Sequence, residues 1–417
     1  MTRIIILFVF FSLTLKAQTL NLNNPFFEQS LRRAQLNGDI DSTMSFTLRP
    51  LDINQYEVSK NVFDLESYSP TVLSFFKGKG KLKILPIDFN INYSSHHPYN
   101  RNNGSMITNR GYQQLVSGGI YVELGPLSIQ LKPENIYAEN KDYDGFWEGH
   151  YDIIWAKRYN LWNRIDTPER YGEHEYKKTT FGQSSIRLNY KALSLGLSSE
   201  NIWWGPSVRN GIMMSNNAQG FNHITLNTRR PIKTLIGNFE FQLVTGRLEP
   251  SGFDPPNTDR TYAGTKIFVP KINQNAETGD WRFFQGYTIT YSPIWIPGFH
   301  IGLNRWTQMY GAMFEGRYNW IADANNGATV GWFPVLSNFL RKNDKIEPYE
   351  RETDQAASGY FRWFWKDSKA EIFGEWGYND SKFNMRDLFL DTDHSRAFTL
   401  GFNKLFNSKR NSSQFEF

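Results

Sequence analysis

Residues 238–243 read NFEFQL, which sets Phe239, Phe241 and Leu243 on one side of an extended chain and Glu240 and Gln242 on the other. An apolar/polar period of two describes a strand with one face in an apolar medium and one in a polar medium. The period returns along the chain. Ile186, Leu188 and Tyr190 alternate with Arg187, Asn189 and Lys191, and Tyr287, Ile289 and Tyr291 with Thr288, Thr290 and Ser292. Phe361, Trp363 and Trp365 alternate with Arg362 and Lys366, a pattern that Phe364 interrupts. From about Leu82 onward such segments recur at roughly ten residues, the length of a tilted strand that crosses a bilayer. Turn signals join them into antiparallel hairpins: Gly125-Pro126 separates residues 120–124 from 127–131, and Lys366-Asp367 separates 360–365 from 370–378.

Composition points the same way. The chain has 417 residues with 33 Phe, 21 Tyr and 13 Trp, 16% aromatic in all, yet its mean hydropathy is −0.54. A barrel with an apolar outer band, aromatic girdles and a polar lumen reconciles the two numbers; an aromatic-rich soluble carbohydrate-binding β-protein is the competing reading. After Gln18 no stretch has the apolar length of a transmembrane helix. The chain has no cysteine, which excludes a lipid-anchored Cys, disulfides and thiolate chemistry. A net charge of +5 and pI near 9.0 come without a basic run, so nucleic acid is not expected as a partner.

Arg3, the apolar run of residues 4–11 and the closing Lys16-Ala17-Gln18 have the layout of an export signal, residues 1–17, cleaved after Ala17. Next, Asn24 can cap a helix, Pro25 can begin it and Gly38 can end it. Phe27, Leu31 and Ala34 fall on one face of that helix, and Glu28 and Arg32 form an i,i+4 pair. Residues 58–76 read either as a second helix or as irregular structure. Residues 18–80 are therefore expected as a periplasmic helical or plug region, and 81–417 as a closed antiparallel transmembrane β-barrel of about 16–18 strands, each using ~20 residues with its connection. Residues 141–176 and 250–280 are expected as large outer loops. The last strand is expected at 396–406, before a polar tail, 407–414, and the terminal aromatic Phe417 that suits the outer-membrane assembly machinery.

The densest run of unusual residues spans 199–231, SENIWWGPSVRNGIMMSNNAQGFNHITLNTRRP. Trp203 and Trp204 offer flat faces for sugar rings, and Arg209, Asn216, Asn217 and His223 offer donors and acceptors for hydroxyls or carboxylates. An equally open reading makes WWGP a tight turn at the rim and the Asn pair a partner for backbone groups. In the outer loop, Trp147, Tyr151, Trp155, Trp162 and Arg164 interleave aromatics with charge; glycan capture and plain loop packing both fit.

The WWGP and SNNA elements resemble those of the outer-membrane capsule-assembly Wzi family, and LRRAQLNGDIDSTMSFTLRPL, residues 31–51, is similar to the opening of its Bacteroidetes-type members. That resemblance implies an eighteen-stranded outer-membrane barrel closed by periplasmic helical elements, a lectin that holds capsular or extracellular polysaccharide at the cell surface. A monomer surrounded by outer-membrane lipid and lipopolysaccharide, without cofactor, is the expectation. A diffusion channel is the first alternative, and a barrel enzyme acting on lipid or glycan the second.

Catalytic signatures are missing: there is no G-x-S-x-G elbow, no HExxH and no phosphate loop, and the chain is not expected to be an enzyme. Ser215 with His223 is the pair to inspect. His96-His97, Glu173-His174-Glu175 and the group Asp391, Asp393 and His394 read better as solvated residues than as metal ligands.

Overall fold

The computed structural model describes residues 18–52 apart from 21, 23–24 and 41–42; 68–268 apart from 100, 165, 167 and 256; and 281–311, 354–379, 395–407 and 412–416. The expected export signal, Asn24, the group at 391–394 and Phe417 lie outside them.

The protein is mostly β, built on one large antiparallel ladder. From Thr71–Phe75 the ladder passes through Gly80–Ser94 to Gly111–Leu124. It then continues as two half-strands, Leu127–Leu131 and Glu134–Ala138, which pair onward with Ser185–Tyr190 and Tyr176–Thr180. Leu193–Ser198, His223–Thr228, Gly237–Leu248, Arg282–Pro293 and Phe299–Tyr310 follow in order. Asp354–Trp365, Ala370–Asn379, Arg396–Asn407 and Ser412–Glu416 complete it. Both hairpins expected at Gly125-Pro126 and Lys366-Asp367 form.

Burial on this sheet is inverted relative to a soluble protein. Arg187, Asn189, Glu240, Gln242, Thr288, Thr290 and Arg362 are buried, whereas Ile186, Leu188 and Tyr190 are 51%, 55% and 63% exposed. Phe398 and Leu400 are 76% and 62% exposed. Apolar surface in water is unfavourable by about 25 cal/mol per Å², a penalty that vanishes in acyl chains. The period of two read from the sequence therefore sorts lipid-facing from inward-facing residues. Among the described residues no helix is long and apolar enough to cross a membrane.

The two rims differ. The connections at 76–79, 125–126, 191–192, 234–236, 294–298 and 366–369 are short and share one rim, while those at 95–110, 139–175, 199–222 and 249–281 are long and share the other. Outer-membrane barrels place short turns toward the periplasm and long loops outside.

The polar face is filled by the N-terminal segment. Helix Pro25–Asn37 begins at Pro25 and ends at Gly38, whose positive φ of 89° allows the terminating turn. Its apolar stripe packs Phe27, Leu31 and Ala34 with Leu20, Ile40, Met44, Phe46, Leu51 and Tyr68. Leu36 reaches Phe364 and Leu405 on the wall, so the Phe364 that breaks the alternation is the inward residue on which the helix rests. Polar contacts fan out from the same segment: Ser45 N donates to Glu240 at 3.1 Å, the Thr47 and Thr290 hydroxyls meet at 2.6 Å, and Arg229 pairs with Asp52 at 2.8 Å. A single short segment touches strands this far apart because the sheet curls around it.

Several expectations are corrected. Glu28 and Arg32 do not pair with each other: Arg49 takes Glu28 at 2.6 Å and Glu371 takes Arg32 at 2.7 Å, since both helix residues face buried partners. The sheet begins at Thr71, ahead of residue 81, because 71–75 is a short β-prone run that pairs with the next strand. The outer loop at 141–176 contains helix Asp152–Arg164, and the polar tail returns as strand Ser412–Glu416.

Glu371 accepts from Arg32, from Arg362 at 2.7 Å and from Asn403 at 2.6 Å, all with almost no solvent. Glu371→Ala leaves two buried guanidinium groups without their carboxylate, and a loss of roughly 3–5 kcal/mol is expected. Urea unfolding followed by tryptophan fluorescence measures it. Lys177→Ala, which breaks an exposed pair with Glu175, should leave the midpoint unchanged.

Candidate functional site

On the long-loop rim, residues 139–175 and 249–268 build an aromatic cleft. Helix Asp152–Arg164 carries Trp155, Tyr159 and Trp162 at i, i+4 and i+7, one face of a 3.6-residue period. Trp155 and Tyr159 lie 6.0 Å apart, and Tyr159 meets Trp162 edge-on at 5.1 Å. Phe146 sets its ring perpendicular to Trp155 at 4.8 Å, and Ile267 and Phe268 close the cluster from the second loop.

Cations are seated on these rings. Arg158 lies 5.2 Å from the Phe146 ring centre and 4.7 Å from that of Trp162; Arg260 lies 3.9 Å from that of Trp155. Tyr159 donates to the Asn257 carbonyl, which ties the two loops together. Burial raises its phenol above the ordinary range, so it remains a donor. Glu169 accepts from Phe146 N at 2.6 Å, and Tyr143 donates to the Glu169 carbonyl, fixing the cleft wall. Arg170 pairs with Asp142, and Arg260 with Glu148.

The space these groups enclose is about 600 Å³, lined by Tyr143, Phe146, Trp147, Trp155, Tyr159 and Trp162 together with His97, Asp144, Glu148, Glu169 and Arg170. Trp147 is 68% exposed, with His150 edge-on at 5.2 Å. Trp155, Tyr159 and Trp162 are themselves only 4%, 1% and 7% exposed and form the packed floor of this space. The face on offer is therefore the Trp147 ring, which with the nearby carboxylates and guanidinium groups suits a ligand that has ring faces and many hydroxyls.

The 199–231 run occupies a different place. Trp203 and Trp204 are 5% and 0% exposed, so neither ring offers a face to an outside ligand. They pair as a two-stranded sheet with Leu48 and Arg49 of the N-terminal segment. Trp204 Nε1 donates to Gln242 at 2.8 Å and its ring packs on Ile202, Val244 and Phe284. It lies so close to Gly286 that a Cβ there would sit 2.7 Å from the indole. Gly205, at φ 89°, turns the chain; its N–H donates to the Thr47 carbonyl at 2.9 Å and its carbonyl accepts from Arg49 at 2.7 Å. Pro206 offers its carbonyl to Arg32 at 2.8 Å. WWGP is thus an inward turn gripped by two arginines.

The Asn pair stitches loops. Asn217 Oδ1 accepts from Asn102 N at 2.8 Å, Asn216 Nδ2 donates to the Asn102 carbonyl at 3.2 Å, and Gly104 N donates to the Asn216 carbonyl at 2.9 Å. Arg209 is exposed nearby, and its carbonyl accepts from Asn102 at 2.6 Å. His223 is buried and engages the Phe221 carbonyl through Nδ1 at 2.7 Å, whereas Ser215 Oγ accepts from Asn217 at 2.9 Å. Among the described hydrogen bonds none joins Ser215 to His223, so no nucleophile–base pair is assembled there.

The structure therefore divides the candidate residues among three places. Trp147, Trp155 and Trp162 meet at the cleft; Trp203, Trp204, Asn216 and His223 are interior; Arg209 and Asn217 lie at the seam between loops. Arg164 ends the loop helix, and its side chain is outside the described residues. Tyr143, Phe146, Tyr159, Glu169 and Asn257 were not foreseen; the spacing of Tyr159 between Trp155 and Trp162 carries a helical signal that the loop reading passed over. His96 and His97 stack at 4.4 Å, Glu175 is held by Lys177, and among the described residues no group has the make-up of a metal site.

A family profile described as "Capsule assembly protein Wzi" matches residues 92–381. No curated protein sequence matches the chain. Among solved structures the chain is similar to Wzi of Escherichia coli, an outer-membrane protein involved in group 1 capsule assembly and a carbohydrate-binding β-barrel. The TM-score is 0.52 at 10% identity, over 96% of this chain and 70% of that one, a likeness of fold. The profile covers well over half of the sequence, and the chain belongs to the capsule assembly protein Wzi family, whose place is the outer membrane.

Proposed function

We propose that the chain is a closed, plugged outer-membrane barrel that holds capsular or other extracellular polysaccharide at the cell surface, with the aromatic cleft of the long loops as its contact. In this reading residues 1–17 are removed on export, the N-terminal segment lies inside the wall, and the ladder closes on itself so that no edge strand faces lipid. The protein acts as a monomer, with outer-membrane lipid and lipopolysaccharide around it, after delivery by the outer-membrane assembly machinery. The observation that carries the reading is the cleft itself: a roomy, aromatic, hydrogen-bonding hollow on the rim where barrels face the medium. The carbohydrate binding of the solved relative supports it.

A diffusion channel needs continuous water through the wall. Here Arg49, Trp203 and Trp204 are at most 5% exposed, and the inward loop and N-terminal segment interlock around them. Reconstituted into planar bilayers, the protein should carry no steady ion current. A stable open conductance would favour the channel.

Deleting the gene should release polysaccharide from the cells into the medium, measured as uronic acid or total sugar in the supernatant. Unchanged surface retention with the protein absent would refute the reading. Within the cleft, Trp147→Ala removes an exposed stacking face and should lower polysaccharide retention several-fold while leaving unfolding unchanged. Trp204→Ala removes an interior side chain and should instead destabilise the fold by roughly 3–5 kcal/mol.

A further inference from the structure

Most short-turn tips are charged or small. Lys77 and Lys79 stand at one, Lys191 at another, and Lys366, Asp367 and Lys369 at a third. Two adjacent tips depart from this. Thr234-Leu235-Ile236 and Ile294-Trp295-Ile296-Pro297-Gly298 contain no charge. Leu235 is 97% exposed, Ile236 54%, Ile294 66% and Trp295 63%. The two tips are also joined: Ile236 offers its carbonyl to Ile294 N at 3.3 Å and to the Tyr291 hydroxyl at 2.7 Å.

What covers this surface follows from its continuity. Phe239, Phe241 and Leu243 run outward-facing down one strand to the first tip. Ile289 and Tyr291 run down the next strand to the second, with Tyr291 stacked on Phe239 at 4.8 Å and edge-on to Trp295 at 6.3 Å. The lipid-facing band thus continues over the rim without a polar break. An indole and a phenol at its end are the side chains that settle at a membrane–water interface. Lys233, exposed beside the first tip, has the length to snorkel toward lipid phosphates.

We propose that these two hairpin tips form a membrane wedge, seated in the headgroup and upper acyl region of the periplasmic leaflet, while the lysine-bearing tips stand in the periplasm. The wall then sits at unequal depth around its circumference. The apolar sector is drawn toward the outer face, on the side whose strands lead into the loop carrying Asn257 and Arg260.

The protein has no native cysteine, so single-cysteine spin labels report each tip separately. Leu235→Cys and Asp367→Cys in the full chain, reconstituted in lipid vesicles, are compared for collision with oxygen and with a water-soluble nickel chelate. Both positions are exposed tips, so neither substitution disturbs packing. The expected result is a nickel collision rate several-fold lower, and an oxygen rate higher, at Leu235→Cys than at Asp367→Cys. Equal nickel access at the two positions would overturn the wedge, as would protection of Leu235→Cys from both reagents, which would mean a protein contact. In intact cells a membrane-impermeant maleimide should miss Asp367→Cys until the outer membrane is permeabilised. Labelling before that step would overturn the assignment to the periplasmic leaflet.

Discussion

Arg49 holds the inside of this protein together. Its guanidinium binds Glu28 on the N-terminal helix and the Gly205 carbonyl on the inward loop, and it lies 5.8 Å from the Trp203 ring centre. Its own backbone pairs with Trp203 across the internal two-stranded sheet. Arg32 repeats the arrangement one step away, joining Glu371 of the wall to the Pro206 carbonyl. A buried guanidinium with several fixed acceptors is satisfied only when all the contributing segments are in place. The N-terminal helix and the loop entering from the long-loop side are therefore mutually dependent.

This dependence follows from the inverted sheet. A wall that turns its apolar residues to lipid has only polar residues left for its inner face, and buried polar groups without partners destabilise a fold. Water would satisfy them in an open channel. Here protein does: Ser45 and Thr47 serve Glu240 and Thr290, Asp52 serves Arg229, and Glu371 gathers two arginines and an asparagine. Among the described residues the polar face of the sheet is thus occupied by protein, and the aromatic cleft lies apart from it on the long-loop rim.

The wall was legible in the sequence because its signal is local. Ile186 to Tyr190 and Phe239 to Leu243 reveal their faces in five residues, and Gly125-Pro126 reveals its turn in two. The helix Pro25–Asn37 was legible too, through its terminating glycine and apolar stripe. The ion pairs were not, since the partners of Arg32 and Glu28 lie 339 and 21 residues away, and sequence spacing favoured the near neighbour over the true one. WWGP stood out by composition, but composition cannot say whether an indole faces a sugar or a glycine such as Gly286. Aromatic excess marked both the cleft and the interior turn, and place rather than burial separates them: Trp155 and Trp162 are as buried as Trp203, but they sit in the long loops beside the exposed Trp147.

That difference of place gives the WWGP run its physical meaning. Trp203 and Trp204 are conspicuous because an inward turn must be apolar enough to anchor and must carry carbonyls at the positions that Arg32 and Arg49 reach; Gly205 and Pro206 supply them. The cleft has no single linear run, because its rings are brought together from two loops and one helix. The conspicuous run thus belongs to the part of the molecule that must be built in one way. The residues on the long-loop rim belong to loops, which can change without disturbing the wall.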